Sequence, residues 1–173
     1  MSATSAVSQV RIEGTEPFVS PALDAALPVA EKMRSQGSAC LRVSGGSMIP
    51  WMRSGDFVFI RRSEFARISA GDVIVFHRNG LLVVHRTIGR VEGTPSDRIA
   101  SLLITKGDAS DEMDAPVSEQ EYLGRATRIH RGRRNIDLES LTQKLLGRLL
   151  ARVSRLSRVV YSPLRFANRL LFR

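Results

Sequence analysis

Residues 71–90 read GDVIVFHRNGLLVVHRTIGR. Two runs rich in Val, Ile, Leu and Phe flank Asn79-Gly80, a dipeptide that supplies the positive φ angles a two-residue hairpin turn requires. The stretch therefore predicts a β-hairpin. Working outward, CLRV (40–43), DFVFIRR (56–62), SLLITKG (101–107) and YLGRATRI (122–129) have the same character. Strands joined by short turns predict a mainly β domain. Ahead of them, residues 21–36 carry a helical pattern, with Ser20 as N-cap and Gly37 as stop. Pro28 is expected to kink or shorten that helix. Residues 1–20 lack periodicity and are expected to be loose.

Composition fits this picture. A chain of 173 residues is long enough for one domain with a sufficient core. The single cysteine, Cys40, excludes an intramolecular disulfide, and its apolar surroundings predict a buried small hydrophobe. No Cys/His cluster has zinc spacing, no Gly-rich phosphate loop is present, and no internal repeat is found, so neither a metal nor an organic cofactor is implied.

The chemistry-bearing stretch is residues 43–62, VSGGSMIPWMRSGDFVFIRR. Ser47 stands on a Gly-rich turn before Pro50, which combines an exposed hydroxyl with open backbone N–H groups, as a nucleophile and an oxyanion hole need. Gly45 and Gly46 let a substrate approach the backbone closely. A serine is a poor nucleophile without a base. His85, well down the second hairpin strand, has the residue type for that work, since an imidazole titrates at about 6.5. His77 is expected to face solvent near the turn, and His130 falls in a basic linker, RIHRGRR. Asp56 and Asp72 read as turn residues. In residues 104–114, ITKGDASDEMD, acidic residues suit turns as well as chemistry.

The serine turn, the strand ending in His-Arg and the Lys-Gly-Asp block occur in an order and spacing that resemble the signal peptidase I family (S24/S26 superfamily). The likeness is to the branch of archaea and the endoplasmic reticulum that uses a Ser-His pair, and it covers roughly residues 39–126. It implies a coiled β-sheet fold of the LexA and signal-peptidase kind, with an N-terminal helix and a C-terminal basic amphipathic helix added here. It also implies Ser47 as nucleophile, His85 as general base, and Asp108 and Asp114 as acidic positions, either of which could orient the imidazole. Ser44, Gly45, Gly46 and Met48 would form the oxyanion and substrate-binding turn. The family cleaves extended peptides after small residues, so the implied partner is a peptide or precursor protein. Two departures stand out. Many relatives carry a serine where this chain has Gly45. They also carry a membrane anchor before the serine, whereas the 46 residues here contain neither an apolar span nor a secretory signal. The expected location is the cytoplasm or the periphery of a membrane. Two other readings stay open: a self-cleaving regulator of the LexA type, which uses a lysine base, and a non-catalytic binding protein on the same fold.

The charge separates two parts. Residues 1–130 carry 15 Lys/Arg against 15 Asp/Glu, whereas residues 131–173 carry 11 against 2, so the net charge of +9 lies wholly in the tail. The expected division is a loose segment (1–20), a β domain with its leading helix (21–130) and a basic amphipathic helical tail (131–173). Leu138, Leu141, Leu145, Leu149, Val153, Leu156 and Val160 recur every three or four residues and mark one apolar helix face. Lys144, Arg148, Arg155 and Arg158 flank it, and Arg152 lies at its border. The face is expected to meet an anionic membrane through residues 138–173, or to dock on the body or a protein partner; nucleic acid is the weakest reading.

Overall fold

The computed structural model describes residues 10–11, 26–93 and 100–154. Among them lie eight antiparallel strands, two α-helices and a short 3-10 helix at Phe65–Arg67, so the mainly β reading holds. The strands are β1 (Val10–Arg11), β2 (Ser38–Val43), β3 (Phe57–Arg61), β4 (Val73–Arg78), β5 (Leu81–Val91), β6 (Leu102–Lys106), β7 (Tyr122–Arg131) and β8 (Arg134–Asp137). Helix α1 covers Ala26–Gln36, and α2 runs over residues 141–154.

The hairpin forms as expected. β4 and β5 pair from Val73↔Arg86 to Arg78↔Leu81, and Asn79 and Gly80 take φ of 52° and 76° at the turn. Alternate residues of the hairpin feed two cores. Val73, Val75, Leu82 and Val84 join Leu41, Met48, Met52, Val58, Ile60, Ile129 and the α1 residues Val29 and Met33. Ile74, Phe76 and Val83 join Phe65, Ile68, Leu103 and Val117. Because both faces are covered, residues 82–89 are all buried, and β5 is a rigid platform at the centre of the molecule.

The strand order is β1-β2-β3-β7-β4-β5-β6, with β8 paired to β7 off that path. β2 and β3, which flank the serine turn, therefore belong to one end of the sheet, and the β4–β5–β6 unit forms the other. β7 lies hydrogen-bonded between them, to β3 on one side and β4 on the other.

Several expectations are corrected. Val10 and Arg11 pair with Val43 and Arg42, so the N-terminal segment is not wholly loose. The described part of the leading helix covers Ala26–Gln36 and includes Pro28; residues 21–25 and the Ser20 cap lie outside the described residues. The basic linker at 128–134 is instead a hairpin, in which β7 turns at Gly132 (φ 57°) into β8. Cys40 is only half-buried, because it alternates with the buried Ala39 and Leu41 on β2. His77 is also half-buried, with Nδ1 against the Glu121 carbonyl at 3.1 Å.

Candidate active site

The turn between β2 and β3 carries Ser47, and β5 carries His85 just before its midpoint. The fold brings them together: Ser47 Oγ lies 2.8 Å from His85 Nε2, and His85 Nδ1 lies 2.6 Å from Asp114 Oδ2. An ionised carboxylate only accepts hydrogen bonds, so Nδ1 carries the ring proton, and Nε2 is left to accept from the serine hydroxyl. Asp114 is itself held. Thr105 Oγ1 donates to the same Oδ2 at 2.6 Å, and the Asp114 N–H donates to the Thr105 carbonyl at 2.9 Å. Ser47 and His85 are buried, while the Asp114 side chain retains 22% exposure. Phe76 packs edge-on to the imidazole at 6.4 Å.

The serine turn is fixed from several sides. The Ile49–Pro50 bond is cis, the Ile49 N–H donates to the Gly46 carbonyl, and the Ala109 N–H donates to the Ser47 carbonyl at 2.8 Å. Gly107 sits so close that a Cβ there would lie 2.9 Å from the Ser47 Cβ and 2.7 Å from its carbonyl oxygen. Arg131 clamps the far end of the turn, donating to both Asp56 carboxylate oxygens and to the Trp51 carbonyl. Burial acts to raise the Asp56 carboxyl, but the Arg131 hydrogen bond and the Arg53 N–H outweigh it and hold its pKa below the ordinary value. Asp56 is thus a buried anchor rather than a plain turn residue. Asp72 does act as one, accepting from the Ser69 N–H at 2.8 Å.

Of the remaining expected site residues, Gly45 takes φ of 95°, which suits glycine and would strain a residue with a side chain. Gly46 and Ser44 lie in the same turn, both half-buried. Met48 departs from expectation. Its side chain is 1% exposed and belongs to the core, so only its backbone remains beside the serine. Asp108 departs further. Both of its oxygens accept from Arg86, Oδ1 from Nε and Oδ2 from Nη2, each at 2.7 Å. It therefore does not orient His85. Asp114 has that contact.

Sequence reasoning left Arg86 without a partner and gave Trp51 no part. Arg86 also donates to the Gly71 carbonyl at 2.9 Å and lies over the Trp51 ring at 5.9 Å. A cavity of about 130 Å³ lies beside this group, lined by Trp51, Arg86, Arg125, Lys144 and Arg148 among others, but not by Ser47 or His85. Among the described residues, the hydrogen-bonded line rather than the cavity sets a serine hydroxyl against a base.

A family model described as peptidase S24-like matches residues 7–99, which include Ser47 and His85. The chain belongs to the peptidase S24-like family. The S24-like match ends before Asp108 and Asp114, so those two positions rest on the geometry alone. No curated protein and no solved structure gives a significant match.

Proposed function

We propose that this chain is a serine endopeptidase of the signal-peptidase I kind, acting through Ser47, His85 and Asp114. The observation that carries the reading is the continuous line from Ser47 Oγ through His85 to Asp114, with both contacts at 2.8 Å or less. Membership in a peptidase family supports the reaction class.

The chemistry follows from the donors and acceptors. Ser47 Oγ attacks the peptide carbonyl carbon while its proton passes to His85 Nε2. Asp114 stabilises the imidazolium and keeps the ring in the productive tautomer. Backbone N–H groups of the 45–48 turn receive the oxyanion. His85 then gives its proton to the leaving amine, which breaks the C–N bond and leaves an acyl-enzyme. A water attacks the ester carbon while its proton passes to His85, the C–Oγ bond breaks, His85 returns the proton to Ser47 Oγ, and the acid product departs. The substrate class implied by the resemblance is a leader or precursor segment with small residues at the scissile bond.

The family match also favours a second reading, self-cleavage in the manner of LexA, against which the histidine base stands. One experiment separates the two. Purified chain is incubated with a peptide library bearing small residues around the scissile bond, and its own intact mass is followed in parallel. The expected result is peptide cleavage that falls by roughly 10³-fold or more in both Ser47→Ala and His85→Ala, with the enzyme mass unchanged. Loss of mass in wild type but not in Ser47→Ala would support the self-cleaving reading. Peptide cleavage that survives Ser47→Ala would end both.

A further inference from the structure

Helix α2 has two opposed faces. The inner face packs on the body through small residues. Gly147 and Ala151 are buried, and a Cβ added at Gly147 would stand 2.7 Å from the Gly71 carbonyl oxygen and 3.0 Å from Arg86 Nη1. The helix backbone therefore rests directly on the Gly71 turn, and α2 is held rigidly. Glycine and alanine one turn apart, at i and i+4, were the sequence signal for this face.

The leucine stripe is the other face, and it points away from the body. Leu141, Leu145, Leu149 and Val153 are 79%, 63%, 56% and 55% exposed. Of the described stripe residues only Leu138, ahead of the helix, packs on the core; Leu156 and Val160 lie outside the described residues. Of the readings open for the apolar face, docking on the body does not hold for these four residues, because the small-residue face has taken that position. Four apolar side chains in line on a fixed helix form a contiguous patch of the kind that marks an interaction surface.

Charge indicates what covers it. Arg148 and Arg152 are exposed beside the stripe. From residue 140 to residue 173 the sequence has eight Lys/Arg and no Asp or Glu. A second copy of the chain would set arginines against arginines, with no acid on this segment to pair them. A lipid surface bearing anionic head groups suits both features, since it takes the leucines below and the arginines at the head groups. No helix among the described residues is long and apolar enough to cross a membrane, so the fit is to a helix lying in the surface.

We propose that the outer face of α2 docks this protein on an anionic lipid surface. Because the inner face of the same helix rests on Gly71 and Arg86, and Arg86 is next to His85 in the chain, docking would hold the serine site at a fixed place relative to the lipid. The inference does not rest on the peptidase reading, because lipid binding requires no nucleophile.

The test is flotation of the full chain with vesicles of phosphatidylcholine alone or mixed with phosphatidylglycerol. The chain is expected to float with the mixed vesicles and not with phosphatidylcholine alone, less so at high salt. Leu145→Ser/Leu149→Ser and, separately, Arg148→Glu/Arg152→Glu should each weaken binding by about tenfold or more, and Ser47→Ala should bind like wild type. Circular dichroism checks that the variants fold. The charge variant keeps every leucine, so it decides the matter if the leucine variant fails to fold. Absence of flotation, equal binding to both vesicle types, or wild-type binding by both variants would overturn the proposal. So would a leucine-dependent dimer, or a leucine-dependent complex with an acidic protein, in a chain that ignores vesicles.

Discussion

The two sides of β5 invite comparison. His85 and Arg86 are consecutive, both are buried, and each meets a carboxylate from the same short stretch of chain. One pair faces the serine, and the other faces α2 and Trp51. His85 presents a ring nitrogen to the Ser47 hydroxyl, and its carboxylate is partly open to solvent. Arg86 offers only donors, and its carboxylate is closed off at 6% exposure with both oxygens occupied. The same architectural unit, a buried basic side chain on a central strand held by a loop aspartate, sets an imidazole against a hydroxyl on one side and fastens the fold on the other. The lesson is that the presence of an acceptor nitrogen on the basic side chain, not the presence of a carboxylate partner, decides which side can receive a hydroxyl proton.

The largest expected effect is on the His85 side. Asp114→Asn should lower peptide cleavage by roughly 10²–10⁴-fold, because the imidazole loses its tautomer and its counter-charge, while thermal unfolding stays near wild type. If Asp108→Asn lowered activity per folded molecule more, the comparison would be reversed. The Arg86 side should respond in stability instead. Arg86→Ala leaves Asp108 buried without its partner and should cost about 3–5 kcal/mol in urea unfolding, whereas Arg86→Met/Asp108→Leu should recover most of that loss. An Arg86→Ala protein with a wild-type urea midpoint would show that the pair fastens nothing.

The smallest effect asks whether either side sets the acid limb of stability. Burial acts to raise the Glu121 carboxyl, but hydrogen bonds from Arg78 and from the Ser118 N–H and hydroxyl overcome it and bring the value down from 4.5 to about 2. A lowered folded-state value gives stability that is complete above the unfolded value and lost as the pH falls through the folded one. Glu121→Gln should therefore flatten the stability profile between pH 4.5 and about 2, a change on the order of 2 kcal/mol after screening. An unchanged acid limb would move that role to other carboxylates.

Much of this was legible in the chain because its signals are local. Asn79-Gly80 fixed one hairpin, and the β-branched runs marked six of the eight strands. The 85th residue fell on a rigid strand, which is why its meeting with Ser47 could be anticipated from a family resemblance. What the sequence concealed was relational. Nothing local distinguishes Asp114 from Asp108, since both lie in a polar turn-forming stretch, and the choice depends on which side of β5 each loop position reaches. β8 was hidden because its residues, RNID, sit in a charged run without alternating apolar positions, although Gly132 offered a turn signal. The tail periodicity gave a helix but not its orientation. Leucines outnumber the small residues, yet close backbone packing against Gly71 favours glycine and alanine.

The place of β7 has a further consequence. Ser47 comes from one end of the sheet and His85 from the other, and the two ends are joined through a strand that runs from residue 122 to residue 131. During synthesis the nucleophile and its base are both made well before the piece that joins their platforms. Arg131, the last residue of that strand, also closes the clamp on the serine turn. A growing polypeptide therefore carries the parts of the site without the site, and the ribosome must release most of the chain before the two halves meet.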